Sequence, residues 1–465
     1  MAVCAFIQHR LGRTDGVSLE VDKWRSVLED RGHSVYYIAG NDDVPGGLCI
    51  PELYPFHPTT ERIIRNATRR LEDYRTPADL IAAIEEHAAR IEPQIELFLD
   101  TFGVDLLLPN NLLSVGYNLP GMMALARIIA KRKLPTICHS HDFWWEDSGE
   151  VFPTCQEVVD LYRHHAPPQH PWVHHVTINQ IGRRELAQRR GLASTVVPNV
   201  FDFGKPRWQI DDYNADFRAA FDIGANDLVL LQATRILDRK AVELAIDLVA
   251  TLQQTEYRRQ LAGALYDGRH FGSDDRIVLV CSGYVEGIGL SDSYPSALQE
   301  HADELGVRIV WAGDRVGHSR GTASDGAKRY SLWDSYAHAD MVTYPSIWEG
   351  WGNQFIEAVF AELPVVLFEY PVWRTDLAAV GFDVASLGSQ IDRRDDRNLV
   401  HVAPEQLHAA ARRTIEFLKD GKRRDAAVTH NRAVAQRHFS FEALDAMIAP
   451  LIETALRPIQ SPADA

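Results

Sequence analysis

Short apolar runs alternate with helical stretches along this chain, and they do so in two separate series. That alternation constrains the fold more than any single motif. A strand buried on both faces of a parallel sheet reads as a continuous apolar run, and the helix after it supplies the crossover to the next strand. In the first series, residues 3–8 read as a buried strand, 9–16 as a loop, and 17–30 as an amphipathic helix stopped by Gly32-His33. Further strands are expected at 34–39, 104–108, 136–139, 173–179 and 195–198, with helical stretches at 59–101 and 122–132. In the second series, strands are expected at 228–232, 276–281, 307–312, 341–344 and 365–368, and a helix runs on from Lys240 to residue 253. Residues 199–227 hold Asn199, Pro206 and several acids with little apolar run, and read as a linker. A last helix covers 442–456. The pattern predicts two doubly wound α/β halves facing across a cleft.

The 465 residues are enough for two or three domains, and a composition 46% hydrophobic and 24% charged is globular. The formal net charge of −16 argues against a nucleic-acid partner, because no local basic patch offsets it. Five cysteines (Cys4, Cys49, Cys138, Cys155, Cys281) at scattered spacings, with no CxxC pair, argue against a disulfide framework or a structural zinc. Reduced thiols, no signal-peptide pattern and no apolar run long enough to span a bilayer together predict a cytoplasmic protein without a transmembrane segment.

Ligands of doubly wound sheets bind at the carboxyl ends of the strands. The loops there are 9–16, 109–111, 140–145, 233–240, 313–316 and 345–353. The segment Tyr344-Pro-Ser-Ile-Trp-Glu-Gly-Trp-Gly-Asn-Gln-Phe-Ile-Glu357 reads as a strand end, a loop with two glycines and a helix start. Gly350 and Gly352 lack Cβ and permit close backbone approach. The first amides of a helix lack internal partners and carry partial positive charge, which suits a diphosphate. Glu349 and Glu357 flank that anion site as acceptors for sugar hydroxyls. Arg235 and Lys240 lie five apart after another strand, where a fork of donors and an ammonium fit neighbouring phosphates. The alternative for that stretch is a solvated helix start with Asp238 and Arg239 as a surface pair. No Asp-x-Asp motif offers itself to a metal.

Residues 346–364, with EGWGNQFIEAVFAELP inside them, resemble the Glu-x7-Glu signature of the family 4 retaining glycosyltransferases, which have the GT-B fold. Other pieces fall in family order. Gly16-Val17 with Arg31-Gly32-His33-Ser34-Val35 resembles the family's N-terminal glycine loop and first helix. Val197-Pro198-Asn199-Val200-Phe201 resembles its stretch before the hinge, 233–240 its Arg…Lys segment, and His438-Phe-Ser-Phe441 the start of its C-terminal helix. The chain departs from the family at Asp15, which precedes Gly16 where paired glycines are usual. It departs also at Ala241, where a glycine usually follows the lysine, and at Glu362-Leu363, where a small residue and a glycine usually precede the proline.

The resemblance implies an N-terminal acceptor-binding Rossmann-like domain (1–200), a C-terminal nucleotide-sugar-binding one (201–440), and a helix over 441–465 that packs back on the first. It implies transfer of a hexosyl unit from a nucleotide sugar of the GDP-mannose or UDP-glucose type to a hydroxyl acceptor, with retention and without a metal or prosthetic group. In that reading Arg235 and Lys240 bind the diphosphate and stabilise the leaving group. Glu357 holds the ribose, and Glu349 with the amides of Trp351, Gly352 and Asn353 holds the hexose. Gly16, Gly350 and Arg315 complete the donor contacts, and His141 touches the transferred sugar. Asn111, Asp142 and Trp144 join His141 on the acceptor side, where the lack of a membrane-binding helix favours a small soluble acceptor. Homo-oligomerisation stays open.

Several rivals stand beside this reading. Asp142 could instead cap a helix beside a merely packed His141, and aromatic burial is the commoner fate of Phe143-Trp144-Trp145, Trp348 and Trp351. The histidines at 164, 165, 170, 174 and 175 are interrupted by prolines and read as a loop, and Gly283-x3-Gly287-x-Gly289 is not a dinucleotide fingerprint. An epimerase or hydrolase on the same fold would release nucleotide without an acceptor. A phosphorylase would need a dedicated cofactor lysine, and no lysine in the sequence can be nominated for that role. A non-catalytic sugar-nucleotide binder is opposed by the presence of Arg235, Lys240, Glu349 and Glu357 together.

Overall fold

A computed structural model describes residues 1–12, 16–42, 46–146, 151–284, 293–323 and 325–457. Asp15, Gly287 and Gly289 lie outside the described residues. The chain divides into two compact units, Met1–Val200 with Phe441–Ala465, and Phe201–Ser440.

The first unit is built on seven strands: β1 (Val3–Gln8), β2 (Ser34–Ala39), β3 (Leu48–Cys49), β4 (Leu106–Pro109), β5 (Thr136–Ser140), β6 (Val173–Thr177) and β7 (Thr195–Val196). All pair in parallel, in the order β3-β2-β1-β4-β5-β6-β7. Successive side chains of a strand point to opposite faces. Cys4 and Phe6 therefore meet Trp24, Val27 and Leu28 of helix Gly16–Asp30, and Leu444, Ile448 and Ile452 of helix Phe441–Ala455. Ala5 and Ile7 face the other way, onto Ile84 and Ile91 of helix Pro77–Phe102 and Met122 and Leu125 of helix Leu119–Arg132. Helices on both faces are the reason these strands carry no polar side.

The helical stretch expected at 59–101 is two helices, Pro58–Thr68 and Pro77–Phe102. Pro77 cannot extend a preceding helix, and Thr76 and Asp79 form a reciprocal capping box that starts a new one. The expected histidine loop is also different. His164 and His165 end helix Gln156–His165, and His174 and His175 lie in β6.

The second unit holds a six-stranded parallel sheet: β8 (Leu228–Gln232), β9 (Ile277–Cys281), β10 (Arg308–Trp311), β11 (Met341–Tyr344), β12 (Val365–Leu367) and β13 (Ala385–Ser386). Its order is β10-β9-β8-β11-β12-β13. A doubly wound sheet of this order reverses direction between its first and fourth strands, here β8 and β11, and opens a crevice beyond their carboxyl ends. The loops 233–240 and 345–353 leave those two strands. Buried Gln232 ties the strand ends together: it accepts from Thr343 Oγ1 at 2.7 Å and donates to Thr234 Oγ1 at 2.6 Å.

Residues 201–227, expected as part of a linker, are packed into this unit. The Phe217 ring stacks on His338 at 5.0 Å, and buried Asn214 donates to Asp334 Oδ1 at 2.8 Å. A run poor in apolar residues hides this, because the burial falls on isolated positions. Asp340, at the entry to β11, has a side chain only 2% exposed. Its Oδ1 accepts from Tyr266 Oη at 2.8 Å and from Arg269 Nη2. Its Oδ2 accepts from the Val229 amide at 2.8 Å and lies 3.6 Å from Arg218. Among the described residues no helix is long and apolar enough to cross a membrane.

Candidate active site

Lys240 ends a 3-10 turn, Asp238–Lys240, that follows β8. The next residue, Ala241, adopts φ 46° and ψ 49° and opens helix Val242–Gln253 without a side-chain cap. That conformation is left-handed and costs a residue with Cβ about 1–2 kcal/mol, so the glycine usual in related sequences has a physical reason. Glu362, the other departure, sits at φ 56°. Both substitutions fall on backbone positions suited to glycine.

The turn aims Lys240 inward, where it is 3% exposed and ion-paired with Glu349 Oε1. The other carboxylate oxygen, Oε2, accepts from Arg239 Nη1 at 3.1 Å. Arg239 Nη1 also donates to the Trp348 carbonyl at 3.1 Å, and its guanidinium lies 5.5 Å from the centre of the Trp348 ring. The Arg239 carbonyl accepts from the Ile347 amide at 3.0 Å. Arg239 is therefore not half of a surface pair with Asp238. It binds the loop after β11 to the loop after β8.

Burial alone would push the Glu349 carboxyl up, but the charges of Lys240 and Arg239 outweigh it and hold the group below the ordinary carboxylate range. Burial pulls the Lys240 ammonium down, against the opposing pull of Glu349. The depressed carboxyl is the governing direction, because the cations facing it leave no stable neutral form, and the pair is ionised at neutral pH. Arg235 is half-buried and close enough for its charge to disfavour the Lys240 ammonium.

Gly283, after β9, fits against this loop because it lacks Cβ: a Cβ there would lie 1.8 Å from the Thr234 carbonyl oxygen. Gly352 is extended (φ −177°), and a Cβ on it would meet the Tyr370 hydroxyl at 2.6 Å. Gly352 precedes helix Asn353–Phe360, whose start has no side-chain cap and no acid in its first turn. Glu357, in that helix, accepts from Tyr336 Oη at 3.0 Å. Burial and the Glu357 charge raise the Tyr336 phenol well above its ordinary value, so it stays a donor. The Trp351 ring is buried edge-on to Phe439 at 5.4 Å, so only its backbone is offered to a ligand.

Arg315 follows β10 and is half-buried. Its guanidinium donates to the carbonyls of Lys328 and Ala220 and lies 5.2 Å from the Phe221 ring and 5.8 Å from the Tyr330 ring. Those contacts hold the half-buried side chain against residues 220–221 and 328–330.

In the first unit, Asn111 adopts φ 58°, and its Oδ1 accepts from the His141 amide at 2.7 Å and the Asp142 amide at 3.4 Å. Asn111 Nδ2 donates to Asp142 Oδ2 at 3.4 Å. These contacts gather Asn111, His141 and Asp142 at the carboxyl ends of β4 and β5. The His141 ring is buried 4.5 Å from that of His139. Trp144, expected on the acceptor side, is half-buried, stacks on Tyr162 at 4.8 Å and donates to the Ala166 carbonyl at 3.3 Å. One flat face of the ring is used by that packing. Gly16 opens the first helix.

Among the described residues one group could hold a metal ion: Asp247, His301 and His401 place a ligand atom each within 4.8 Å of one another. Their hydrogen bonding favours a different role. Arg397 Nη2 lies 3.5 Å from His301 Nδ1, and a guanidinium only donates. Nδ1 must therefore accept, whereas a metal-bound imidazole would donate there. His301 Nε2 instead bonds Asp247 Oδ1 at 2.7 Å, and His401 Nδ1 bonds Asp247 Oδ2 at 2.8 Å. The cluster is a clasp between helix Val242–Gln253, helix Tyr294–Leu305 and the strand Val400–His401.

The bond to Asp247 raises the His401 imidazole above its ordinary value, against the effect of burial. A group raised on folding contributes stability that is complete below its unfolded value and is lost as pH rises through the folded one. The melting temperature is therefore expected to fall as pH rises from about 6.5, the unfolded histidine value, through the raised one. His401→Gln should flatten that slope in thermal scans, and an unchanged slope would count against the clasp.

No family model matches the chain. A mannosylglucosylglycerate synthase of Petrotoga mobilis is 34% identical over 417 residues, covering 89% of this chain and 93% of its own length. Another, from Thermotoga maritima, is 35% identical over 446 residues, covering 96% and 98%. The crystal structure of a glycosyltransferase from Rickettsia africae ESF-5 superposes with a TM-score of 0.61 over 98% of this chain and 99% of that one, at 11% identity. With two parallel doubly wound units and this likeness, the molecule is a glycosyltransferase of the GT-B fold and the family 4 type. Within that class, the chain belongs to the family that contains the two mannosylglucosylglycerate synthases.

Proposed function

We infer that the chain transfers a mannosyl unit from a nucleoside diphosphate mannose, GDP-mannose in the first instance, to a hydroxyl of glucosylglycerate. The names of the two relatives supply the sugars. The observation that carries the chemistry is the Lys240–Glu349 ion pair at the switch point between β8 and β11, followed in the chain by the start of helix Asn353–Phe360. A nucleoside diphosphate leaving group develops negative charge on its β-phosphate, and preorganised cations and helix amides lower the barrier to its departure. Arg235, Lys240 and the amides of Gly352 and Asn353 are assigned to that diphosphate, Glu357 to the ribose, and Glu349 to the hexose with the Trp351 amide. Asn111, His141 and Asp142 are assigned to the acceptor, and Gly16 to the edge of its site. The N-terminal unit thus serves the acceptor and the unit of residues 201–440 the donor.

The step proceeds on one face of the sugar. The bond from the anomeric carbon to the phosphate oxygen breaks as the acceptor oxygen bonds to that carbon. The acceptor proton passes to the departing phosphate. Configuration is retained, and no metal is needed to neutralise the leaving group.

A panel of nucleotide sugars, read by thermal stabilisation and nucleotide release with glucosylglycerate present, tests this. Release is expected with the mannose donor and acceptor together, with turnover kept in EDTA. Release without acceptor would favour a hydrolase or epimerase. Glu357→Ala is expected to weaken nucleoside diphosphate binding about 10- to 100-fold, the effect of losing hydrogen bonds to a charged group. Calorimetry with the diphosphate checks it, and unchanged affinity removes Glu357 from the site.

A further inference from the structure

We propose that Arg239 is a positioning residue that holds Glu349 in place when Lys240 turns from it to the donor diphosphate. This rests on the roles given above to Lys240 and Glu349. Those roles conflict in one respect. Lys240 is the ion-pair partner of Glu349 Oε1, yet it is also assigned to the phosphate. A buried carboxylate that loses its only cation becomes costly and shifts or takes up a proton. Glu349 avoids this because its second oxygen is bound independently, by Arg239 Nη1 at 3.1 Å.

Arg239 is itself fixed at three further points. Its guanidinium binds the Trp348 carbonyl at 3.1 Å and lies beside the Trp348 ring, and its own carbonyl accepts from the Ile347 amide at 3.0 Å. It therefore stays with the 347–349 loop whatever Lys240 does. The groups facing Glu349 are Lys240, Arg239, Ser346, Tyr344 and Tyr370. Once Lys240 moves to the phosphate, Arg239 is the one cation among them that remains on the carboxylate. Arg239 does not touch the substrate in this arrangement; it acts through Glu349.

The test is Arg239→Gln, with Arg239→Lys beside it, in the full-length enzyme. Arg239→Gln is expected to lower kcat about 10- to 100-fold, the loss that follows removal of a charge-assisted bond to a buried group. Nucleoside diphosphate affinity should change by less than about 3-fold, within the range of a residue that does not contact the ligand. The acid limb of the rate profile should move to higher pH, because a cation that depresses the Glu349 carboxyl has gone. Arg239→Lys, which keeps the cation, should recover most of the rate with the acid limb near its original place. In a Glu349→Gln background, Arg239→Gln should have almost no further effect.

A fall in diphosphate affinity as large as the fall in kcat would overturn the proposal, since Arg239 would then be a phosphate ligand. Effects that multiply with Glu349→Gln, or an acid limb that does not move, would overturn it too. Retained turnover in both Lys240→Ala and Glu349→Gln would mean that the site assignment itself has failed. Loss in those two with wild-type kinetics in Arg239→Gln would sink only the role of Arg239.

Discussion

Replacing Lys240 by alanine is expected to cut kcat by about a hundred- to a thousandfold at saturating donor, the range lost when one preorganised donor to a developing oxyanion is removed. Two losses combine. The leaving diphosphate loses a cation that, 3% exposed, acts where water cannot screen it. Glu349 Oε1 loses its partner and keeps only the Arg239 bond on Oε2. Nucleoside diphosphate affinity should fall less than turnover, because charge on the β-phosphate grows toward the transition state and Arg235 and the helix amides still hold the ground state. Lys240→Arg should not restore the rate, since a planar guanidinium does not fit a buried site made for a compact ammonium. Steady-state kinetics with calorimetry of diphosphate binding decide the matter. Turnover within about threefold of the wild type would remove Lys240 from the chemistry.

Asp340→Ala is expected to destabilise the second unit by about 3–5 kcal/mol, the cost of breaking a buried ion pair by removing one partner. Both carboxylate oxygens are in use, bonded to Tyr266, Arg269 and the Val229 amide and facing Arg218. Alanine leaves Arg269 (side chain 21% exposed) and Arg218 (20% exposed) without that counter-charge. The next link adds to this: Arg424 Nη1 donates to the Asp340 carbonyl at 2.7 Å and lies over the Tyr266 ring at 3.8 Å. Asp340 opens β11, which leads to Glu349, so the loss should lower activity with temperature before unfolding is complete. Denaturant titration followed by tryptophan fluorescence gives the measurement, fitted with two transitions because two units are present. A change below about 1 kcal/mol, the ordinary effect of a surface substitution, would show that water replaces the carboxylate.

The sheets were legible in the sequence because parallel strands covered on both faces leave uninterrupted apolar runs. Residues 228–232 and 341–344 were expected as strands and are Leu228–Gln232 and Met341–Tyr344. The family 4 type was legible in the 344–357 segment for a different reason: spacing along one helix start places both glutamates without long-range information. Arg239 was not legible. Beside Asp238 it reads as solvated, and its burial is set by a carboxylate 110 residues away. The stacking of Trp144 on Tyr162 was not legible either, since helix Gln156–His165 was not among the expected elements. The Asp340 hub gathers residues 218, 266, 269 and 424, and no local pattern announces such a set.

The composition of the first unit bears on how the protein is made. Its core is closed by Leu444, Ile448 and Ile452, yet the rest of that core is encoded before residue 201. During synthesis, that face of the sheet in residues 1–200 is covered by helix Gly16–Asp30 but lacks helix Phe441–Ala455 until the whole of residues 201–440 has been translated. The unit of residues 201–440 is continuous in the chain and can fold in that interval. A ribosome stalled ahead of residue 441 would therefore hold a first half whose core lacks Leu444, Ile448 and Ile452, the kind of exposed apolar surface that chaperones bind.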